Sequence, residues 1–245
     1  MRNRITIVSV SKSATSSPLI KQSKFSDNFR FRYIINNTNE GLASIYNRHL
    51  RLNSDELAER DEGIFNHWVV FVHDDVLIFD GLLEEKLADA FQQYDVIGLA
   101  GATKGITLPH KVPALWNTMA PRANFSGLVF HYEKNFKNPL TDYFPTVYGP
   151  LNSPATLVDG LFLAVNQDVA TKAGLLFDEN CPAKFHYYDL IFCIRAKLLN
   201  LRVGTYPIFV AHKSHGLEVT SDEFLDGEKY FRNYFKQIAT GEKHE

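Results

Sequence analysis

Three polar residues, His73, Asp74 and Asp75, directly follow the apolar run WVVFV at 68–72. Such a run is typical of a strand buried on both faces of a parallel sheet, and ligands of these sheets bind beyond the carboxyl ends of the strands. Adjacent carboxylates repel each other unless a positive charge joins them. Mg²⁺ and Mn²⁺ are often held by one or two carboxylates together with substrate phosphates. The motif therefore predicts a divalent-cation site, and capping of a following turn or helix by the two aspartates is the structural alternative.

The elements that must position this motif alternate between strands and helices. In the first hundred residues the predicted elements are strands at 5–10, 32–36, 68–72 and 96–100, and helices at 39–50 and 83–94. This order predicts an α/β fold with a layered parallel sheet. Phosphohydrolases with a His-Asp pair carry that pair on a helix of an all-helical fold. Here the pair follows a predicted strand, so we set that class aside.

The second half of the chain contains longer connections. Two segments rich in Pro, Gly and Asn, 101–121 and 138–154, are predicted to be long loops, which are usually functional or mobile. The other predicted elements are strands at 127–132, 160–165, 203–206 and 208–211, and helices at 168–172 and 187–199. A last helix is predicted to begin at a capping box of Thr220 and Glu223 and to pack through its aromatic face.

Length and composition narrow the class of protein. The 245 residues, 45% of them hydrophobic, are enough for one domain with a full core. A formal charge of −2 argues against non-specific nucleic-acid binding, which needs a basic excess. The N-terminus has no long apolar segment of a secretory signal. With two cysteines, a cytoplasmic setting is expected, and peripheral association with a membrane is left open.

Several motifs together resemble a known family. In order along the chain these are NNTNEGLASIYNRHL, VVFVHDDVLI, VIGLAGA, VDGLFLAVNQDVA and FHYYDLIFCIRAKLLNLRVG. They resemble the glycosyltransferases related to family two. The resemblance spans most of the chain and implies the GT-A fold, a Rossmann-like three-layer sandwich with a mostly parallel central sheet.

The function implied by this resemblance is sugar transfer from a nucleotide-diphosphate sugar to a saccharide or glycolipid acceptor, with metal help and inversion. Polysaccharide or lipopolysaccharide synthesis is the expected process. One GT-A domain would cover 1–245, with a nucleotide-binding half at 1–100, an acceptor-binding half at 101–220 and a C-terminal packing helix at 221–245. The oligomeric state is not predicted.

Positions that match the family's acidic motif receive roles in metal and donor binding. Asp75 is the expected metal ligand, Asp74 the contact to the donor's ribose or sugar, and His73, in place of the usual acid, a residue that orients Asp75. His212 or His215 completes the metal shell, and an imidazole ligand suits Mn²⁺ better than Mg²⁺. For each of these two histidines, a solvated loop residue is the alternative.

The donor's base and ribose are expected over the first two strands. Ser9, Asn36 and Asn37 lie near the carboxyl ends of those strands and can hydrogen-bond a base edge or ribose hydroxyls. The two asparagines are equally suited to forming a turn.

An inverting transfer also needs a base for the acceptor hydroxyl. The resemblance makes Asp189 the first candidate, with Asp159 and Glu179 in reserve. Tyr188 stands where the family's usual Glu would be and, with Asp159 and Trp116, is assigned to the acceptor side. The structural alternatives are a helix-capping role for Asp189, turn formation for the reserve acids, and a loop-pinning role for Trp116.

Two other functions compete with glycosyl transfer. A nucleotidyltransferase would share the layered fold and an acid-bound Mg²⁺, but it would usually have a glycine-rich phosphate loop after the first strand, and SVSKSATSS contains no glycine. A non-catalytic carbohydrate-binding protein with the same fold is the other alternative, kept open by the unusual His73 and Tyr188.

Overall fold

The computed structural model describes residues 2–12, 18–25, 29–132, 138, 141–213 and 219–240. The predicted metal residue His215 lies outside them. The strands in these residues are β1 (Arg2–Ser11), β2 (Phe29–Ile35), β3 (Ile64–His73), β4 (Val76–Ile78), β5 (Val96–Gly98), β6 (Ala100–Ala102), β7 (Phe125–Tyr132), β8 (Tyr143–Val147), β9 (Ser153–Pro154), β10 (Leu157–Val158), β11 (Phe162–Asn166), β12 (Val203–Thr205) and β13 (Val210–His212). The α-helices are α1 (Leu42–Leu50), α2 (Ser54–Asp61), α3 (Leu83–Gln93), α4 (Gln167–Ala173), α5 (Tyr188–Leu198) and α6 (Asp222–Thr240).

The larger sheet has seven strands within the described residues, in the order β2-β1-β3-β11-β5-β12-β9. Strands β2, β1, β3, β5 and β12 share one direction, whereas β11 and β9 run against them. The prediction of an α/β fold with a mostly parallel central sheet is confirmed. The reversed β11 was not predicted from the alternating pattern. The first residue of β11, Phe162, pairs with Val72 near the carboxyl end of β3. Strand β11 therefore runs antiparallel to β3, towards its amino end.

Helices cover both faces of this sheet. Side chains of a strand alternate between the two faces, so Trp68 and Phe71 of β3 point in opposite directions. The Trp68 ring lies 4.9 Å from that of Phe91 in α3, and the Phe71 ring lies 4.4 Å from that of Tyr46 in α1. One helix thus packs on each face, which agrees with the predicted three-layer sandwich.

A smaller sheet, in the order β10-β6-β7-β13-β4 with β8 beside β7, adjoins the end of β3. Strand β3 ends at His73 and β4 begins at Val76, so Asp74 and Asp75 form the turn between the two sheets. Strand β13 pairs antiparallel with β4, and Val76 is aligned with His212. This register brings a histidine of the distant C-terminal part against the turn that carries the acidic motif.

The start of α1 differs from the prediction. A helix is predicted from residue 39, but Asn39 has a φ of 54°, and α1 begins after Gly41 without a side-chain cap. The short helix α2 was not predicted. It has the capping box of Asn53 and Glu56, in which each side chain accepts a hydrogen bond from the other residue's backbone N–H.

The C-terminal helix α6 packs on the core as predicted, but its cap differs. Phe224 and Phe231 are fully buried, and Phe231 stacks on Tyr187 at 5.4 Å. The side chain of Ser221, not of Thr220, accepts the hydrogen bond from the Phe224 N–H. Glu223 instead accepts from the backbone N–H of Lys184 at 2.9 Å, so its carboxylate holds the loop before α5.

The assignment of two functional halves within one domain stays a prediction. None of the described helices combines the length and the apolar character that crossing a membrane requires.

Candidate active site

The turn after β3 is held on both sides by backbone hydrogen bonds. The N–H of His73 donates to the carbonyl oxygen of Leu161 at 3.0 Å, and the carbonyl oxygen of Asp75 accepts from the N–H of Lys213 at 2.9 Å. The first bond ties the turn to the residue before β11, and the second ties it to the residue after β13. The backbone that carries His73, Asp74 and Asp75 is therefore held in place relative to both sheets.

A cluster of three possible metal ligands forms around Asp75. Its Oδ1 atom lies 3.5 Å from Nε2 of His212 and 4.0 Å from Nδ1 of His73. One ligand atom from each residue lies within 4.8 Å of the other two. Asp75 Oδ1 is buried and has no hydrogen-bond partner among the described residues. A buried carboxylate oxygen facing two imidazoles fits a divalent cation, because such an ion satisfies all three groups at once.

The charges in this cluster support one another. Burial acts to raise the pKa of Asp75, but His212 and His73 together with a backbone hydrogen bond lower it, and the pKa lies below its ordinary value. Burial acts to lower the pKa of His212, but Asp75 outweighs it, and this pKa is raised. Burial lowers the pKa of His73. The cluster thus favours the ionised form of Asp75. It also favours a positive charge beside this carboxylate, either on the His212 ring or on a bound cation.

A second acidic group, Asp189, lies in the first turn of α5. Its Oδ2 accepts a hydrogen bond from the N–H of Gly160, and its Oδ1 accepts one from the N–H of Leu190, both at 2.9 Å. Burial of the carboxyl group, reinforced by the negative charge of Asp159, raises its pKa to about 7. A carboxyl group with this pKa changes its protonation near neutral pH, as a general base must.

Asp159 and Trp116 form one hydrogen-bonded unit beside Asp189. The indole Nε1–H of Trp116 donates to Asp159 Oδ2 at 2.7 Å, and the N–H of Leu161 donates to Oδ1 at 2.9 Å. Trp116 is 6% exposed, and its ring packs edge-on against Phe125 at 5.1 Å. This geometry agrees with the loop-pinning alternative for Trp116, and it leaves its role in acceptor binding a prediction.

Gly160 connects the two groups of residues, and sequence reasoning missed it as part of the site. Its carbonyl oxygen accepts from the hydroxyl of Tyr188 at 3.1 Å while its N–H bonds Asp189. A Cβ atom added here would lie 2.4 Å from the Tyr188 hydroxyl oxygen and 2.9 Å from Cβ of Asp189. Only a glycine allows α5 to approach this closely, and the VDG motif was the one available signal.

Both groups of residues face one cavity of about 730 Å³, the size of a small-molecule site. Its lining includes His73, Asp75 and His212 on one side and Asp159, Asp189 and Trp116 on the other. Lys12 and His186, which the sequence analysis did not assign, also line it. Asp74 lines an adjoining cavity of about 330 Å³, together with Ser11 and Lys12. The cavity thus brings together the predicted metal residues Asp75 and His212, the first candidate base Asp189, and the predicted acceptor residues Asp159, Trp116 and Tyr188.

The predicted base- and ribose-binding residues lie elsewhere. Ser9 is fully buried inside β1, and the strand continues to Ser11. Asn36 follows β2 and holds a turn, because its Nδ2 donates to the carbonyl of Glu40 at 2.7 Å and its Oδ1 accepts from the Glu40 N–H at 3.1 Å. Asn37 is exposed. None of the three lines either of these cavities as the described residues form them. Their role in donor binding stays a prediction.

The reserve acid Glu179 lies outside the cavity. It is exposed, and its Oε1 accepts a hydrogen bond from Nδ2 of Asn47 at 2.7 Å. Asn47 in turn bonds the backbone of Phe177 through both its amide atoms, at 2.8 and 3.1 Å. The carboxylate therefore supports the packing of α1 on the loop before α5.

Comparison with known proteins completes the description of the site. The model of a family described as "Glycosyltransferase like family" matches residues 34–234, which is more than half of the chain. No curated protein sequence matches the chain. The match confirms the resemblance drawn from the motifs and the fold class that it implied.

Solved structures also resemble the chain. A197 from STIV has 14% identity and a TM-score of 0.43, over 83% of this chain and 82% of that one. S. aureus TarS 1-349 has 11% identity and a TM-score of 0.46, over 86% of this chain and 60% of that one. The same TarS fragment in complex with UDP-GlcNAc has 11% identity and a TM-score of 0.43, over 88% and 60%. The chain thus spans less than two thirds of the TarS fragment.

Proposed function

We propose, because this chain belongs to the Glycosyltransferase like family, that it transfers a sugar from a nucleotide-diphosphate donor to a saccharide or glycolipid acceptor with inversion. The observation that carries the proposal is the pairing of two unlike acidic groups in one cavity. Asp75 faces two imidazoles and suits a divalent cation, whereas Asp189 has a pKa of about 7 and suits a base.

On the donor side, Asp75 and His212 would hold Mn²⁺ or Mg²⁺. Such an ion, when bound, offsets the negative charge that develops on the departing diphosphate. Asp74, in the adjoining cavity, would accept hydrogen bonds from hydroxyls of the ribose or sugar. The ammonium group of Lys12 lies over the Phe185 ring, 3.7 Å from its centroid, beside both cavities. It would attract the donor phosphates.

On the acceptor side, Asp189 would take the proton of the attacking hydroxyl. The hydroxyl oxygen then bonds to the anomeric carbon, the bond from that carbon to the diphosphate oxygen breaks, and its electron pair leaves with the diphosphate. The carboxylates of Asp159 and Asp189 each accept hydrogen bonds through both oxygens. The bond from the Trp116 indole favours Asp159, with Trp116 and Tyr188, as a residue that shapes the acceptor side. The pKa of about 7 favours Asp189 as the base.

The process would be polysaccharide or lipopolysaccharide synthesis in the cytoplasm, with peripheral membrane contact where the acceptor is a glycolipid. The family resemblance supports this assignment. A nucleotidyltransferase is disfavoured by the family match. A purely carbohydrate-binding role is disfavoured by the raised pKa of Asp189, because a binding protein has no need of a carboxyl group that titrates near neutral pH.

Titration calorimetry with UDP-GlcNAc and a guanosine diphosphate sugar, with and without Mn²⁺, tests the proposal. We expect one donor to bind and Mn²⁺ to strengthen the binding. Asp75→Ala should weaken Mn²⁺-dependent donor binding by roughly 100-fold or more, since it removes a direct ligand. The matched control is Asp61→Ala, an exposed aspartate at the end of α2. Failure of both donors to bind in either condition, or normal binding by Asp75→Ala, would refute the proposal.

A further inference from the structure

A hydrogen-bond chain links α5 to the acidic turn through Tyr188. The Tyr188 hydroxyl donates its single hydrogen to the carbonyl oxygen of Gly160 at 3.1 Å. The same oxygen lies 2.8 Å from Nε2 of His73. Because the hydroxyl hydrogen is already used, this second bond needs a proton on Nε2, which the hydroxyl oxygen accepts. The neutral His73 ring therefore keeps its lone pair on Nδ1.

The other nitrogen of the His73 ring faces Asp75, the central residue of the three possible metal ligands. His73 Nδ1 lies 4.0 Å from Asp75 Oδ1, the buried oxygen that has no hydrogen-bond partner among the described residues. The lone pair is thus on the ring nitrogen that lies 4.0 Å from this oxygen. A histidine that ligates a metal usually donates its other N–H to an oxygen, which fixes both tautomer and ring orientation. The His73–Tyr188–Gly160 chain has this arrangement.

Tyr188 can act as a fixed support because its own ring is immobilised. The residue is 4% exposed, and its ring packs edge-on against Tyr46 at 5.7 Å and against Phe177 at 6.2 Å. The close approach allowed by Gly160 holds the hydroxyl from the other side. The position of the hydroxyl therefore follows from the packing of the core.

We propose that His73 is a third ligand of the cation site through Nδ1, and that Tyr188 is the positioning residue that fixes its tautomer. The resulting set of two imidazole nitrogens and one carboxylate oxygen selects Mn²⁺ over Mg²⁺, because Mg²⁺ favours oxygen ligands and imidazole suits transition-metal ions. The inference rests on the proposed function only for the existence of the cation site. It gives the unusual histidine and tyrosine of this chain one shared role.

The test measures binding of Mn²⁺ and Mg²⁺ alone, by calorimetry and without donor. Tyr188→Phe keeps the packed ring and removes the hydroxyl, so we expect Mn²⁺ affinity to fall by roughly 10- to 100-fold. The matched control is Tyr187→Phe, because the neighbouring Tyr187 hydroxyl is buried without a hydrogen-bond partner among the described residues. Its Mn²⁺ affinity should equal that of the wild type. Unchanged Mn²⁺ affinity in folded Tyr188→Phe would overturn the inference.

A second variant keeps the test decisive if Tyr188→Phe does not fold. His73→Asn puts an amide oxygen where Nδ1 lies, so it should narrow the preference for Mn²⁺ over Mg²⁺ by roughly 10-fold or more. Pulsed electron paramagnetic resonance of bound Mn²⁺ should detect nitrogen couplings from two imidazoles in the wild type and from one in His73→Asn. The same couplings or the same ion preference in both proteins would exclude His73 as a ligand. Because no nucleotide is present, these outcomes are separate from any failure of donor binding.

Discussion

The two sides of the cavity hold the same chemical group, a carboxyl group, with its pKa shifted in opposite directions. Asp75 lies in the turn after β3, Asp189 lies in the first turn of α5, and both line the same cavity. Burial acts to raise the pKa of Asp75, but it lies below its ordinary value because the two neighbouring imidazoles, His212 and His73, and a backbone hydrogen bond lower it. The pKa of Asp189 rises to about 7 because burial is reinforced by the neighbouring Asp159. The neighbours of each carboxyl group, and not its residue type, decide which chemistry it can perform.

This difference divides the work of one reaction between two fixed places. A permanently ionised carboxylate serves to bind a cation, whereas one that titrates near neutral pH serves to exchange a proton. The separation holds because the two residues are tied to different parts of the chain: the backbone carbonyl of Asp75 accepts from the N–H of Lys213, and the carboxylate of Asp189 accepts from the N–H of Gly160. Substitutions on each side test whether the cation site and the base act as independently as these contacts imply.

The largest expected effect on turnover comes from removing the base Asp189 while the possible metal ligands His73, Asp75 and His212 stay intact. Asp189→Asn should lower kcat by about 10²- to 10⁴-fold, the usual contribution of a general base. It should leave Mn²⁺ affinity and donor binding within about a factor of two of the wild type, since Asp189 is not part of the cluster. Steady-state kinetics and calorimetry measure the two quantities on the same preparation.

The pH profile of turnover checks the same assignment. A base acts in its ionised form, and the ionised fraction of Asp189 grows as pH rises through its pKa of about 7. Wild-type kcat should therefore increase from pH 6 to pH 8, and the residual activity of Asp189→Asn should lack this increase. Full turnover by the variant, or a wild-type profile that is flat across this range, would contradict the assignment of Asp189 as base.

An intermediate effect is expected at the residue that joins the two sides. The methyl group of Gly160→Ala would lie 2.4 Å from the Tyr188 hydroxyl and 2.9 Å from Cβ of Asp189, so α5 must shift. We expect Mn²⁺ affinity and kcat to fall together, each by roughly 10-fold or more, because both depend on the position of this helix. The control is Gly81→Ala, whose added Cβ has no atom of the described residues within 4 Å. A loss confined to one quantity would mean that Gly160 positions only one side.

The cation side of this comparison was the easier one to predict from sequence. The apolar run at 68–72, followed directly by His73 and Asp75, is a local pattern. Ligands of parallel sheets bind beyond the carboxyl ends of the strands, so this pattern also predicts where the site lies. The contact of His212 with Asp75 could be expected only through the family resemblance. The register that creates it, with His212 beside Val76, depends on the pairing of β13 with β4.

The proton-transfer side was predictable only in part. Asp189 was chosen as base on the resemblance, although an acid in the first turn of a helix usually has a lowered pKa. Burial by residues distant in sequence reverses that expectation. The role of Gly160 depends on its close approach to Tyr188 and Asp189, which lie 28 and 29 positions further along the chain. No local sequence pattern encodes such an approach. Asn36 differs, because its partner Glu40 is local in sequence: the sequence left a ribose contact and a turn open, and the hydrogen bonds to Glu40 agree with the turn.

The smallest expected effect is at Glu179, which completes the comparison with an acid outside the cavity. This carboxylate is exposed and accepts a hydrogen bond from Asn47, so it has neither the burial of Asp189 nor the imidazole neighbours of Asp75. Glu179→Gln keeps an oxygen to accept that bond. We expect kcat and its pH profile to stay within about a factor of two of the wild type, with a loss of stability below roughly 1 kcal/mol. Kinetics and thermal unfolding measure both. A fall in kcat as large as that of Asp189→Asn would move the base to Glu179 and would show that α5 and its preceding loop rearrange when substrate binds.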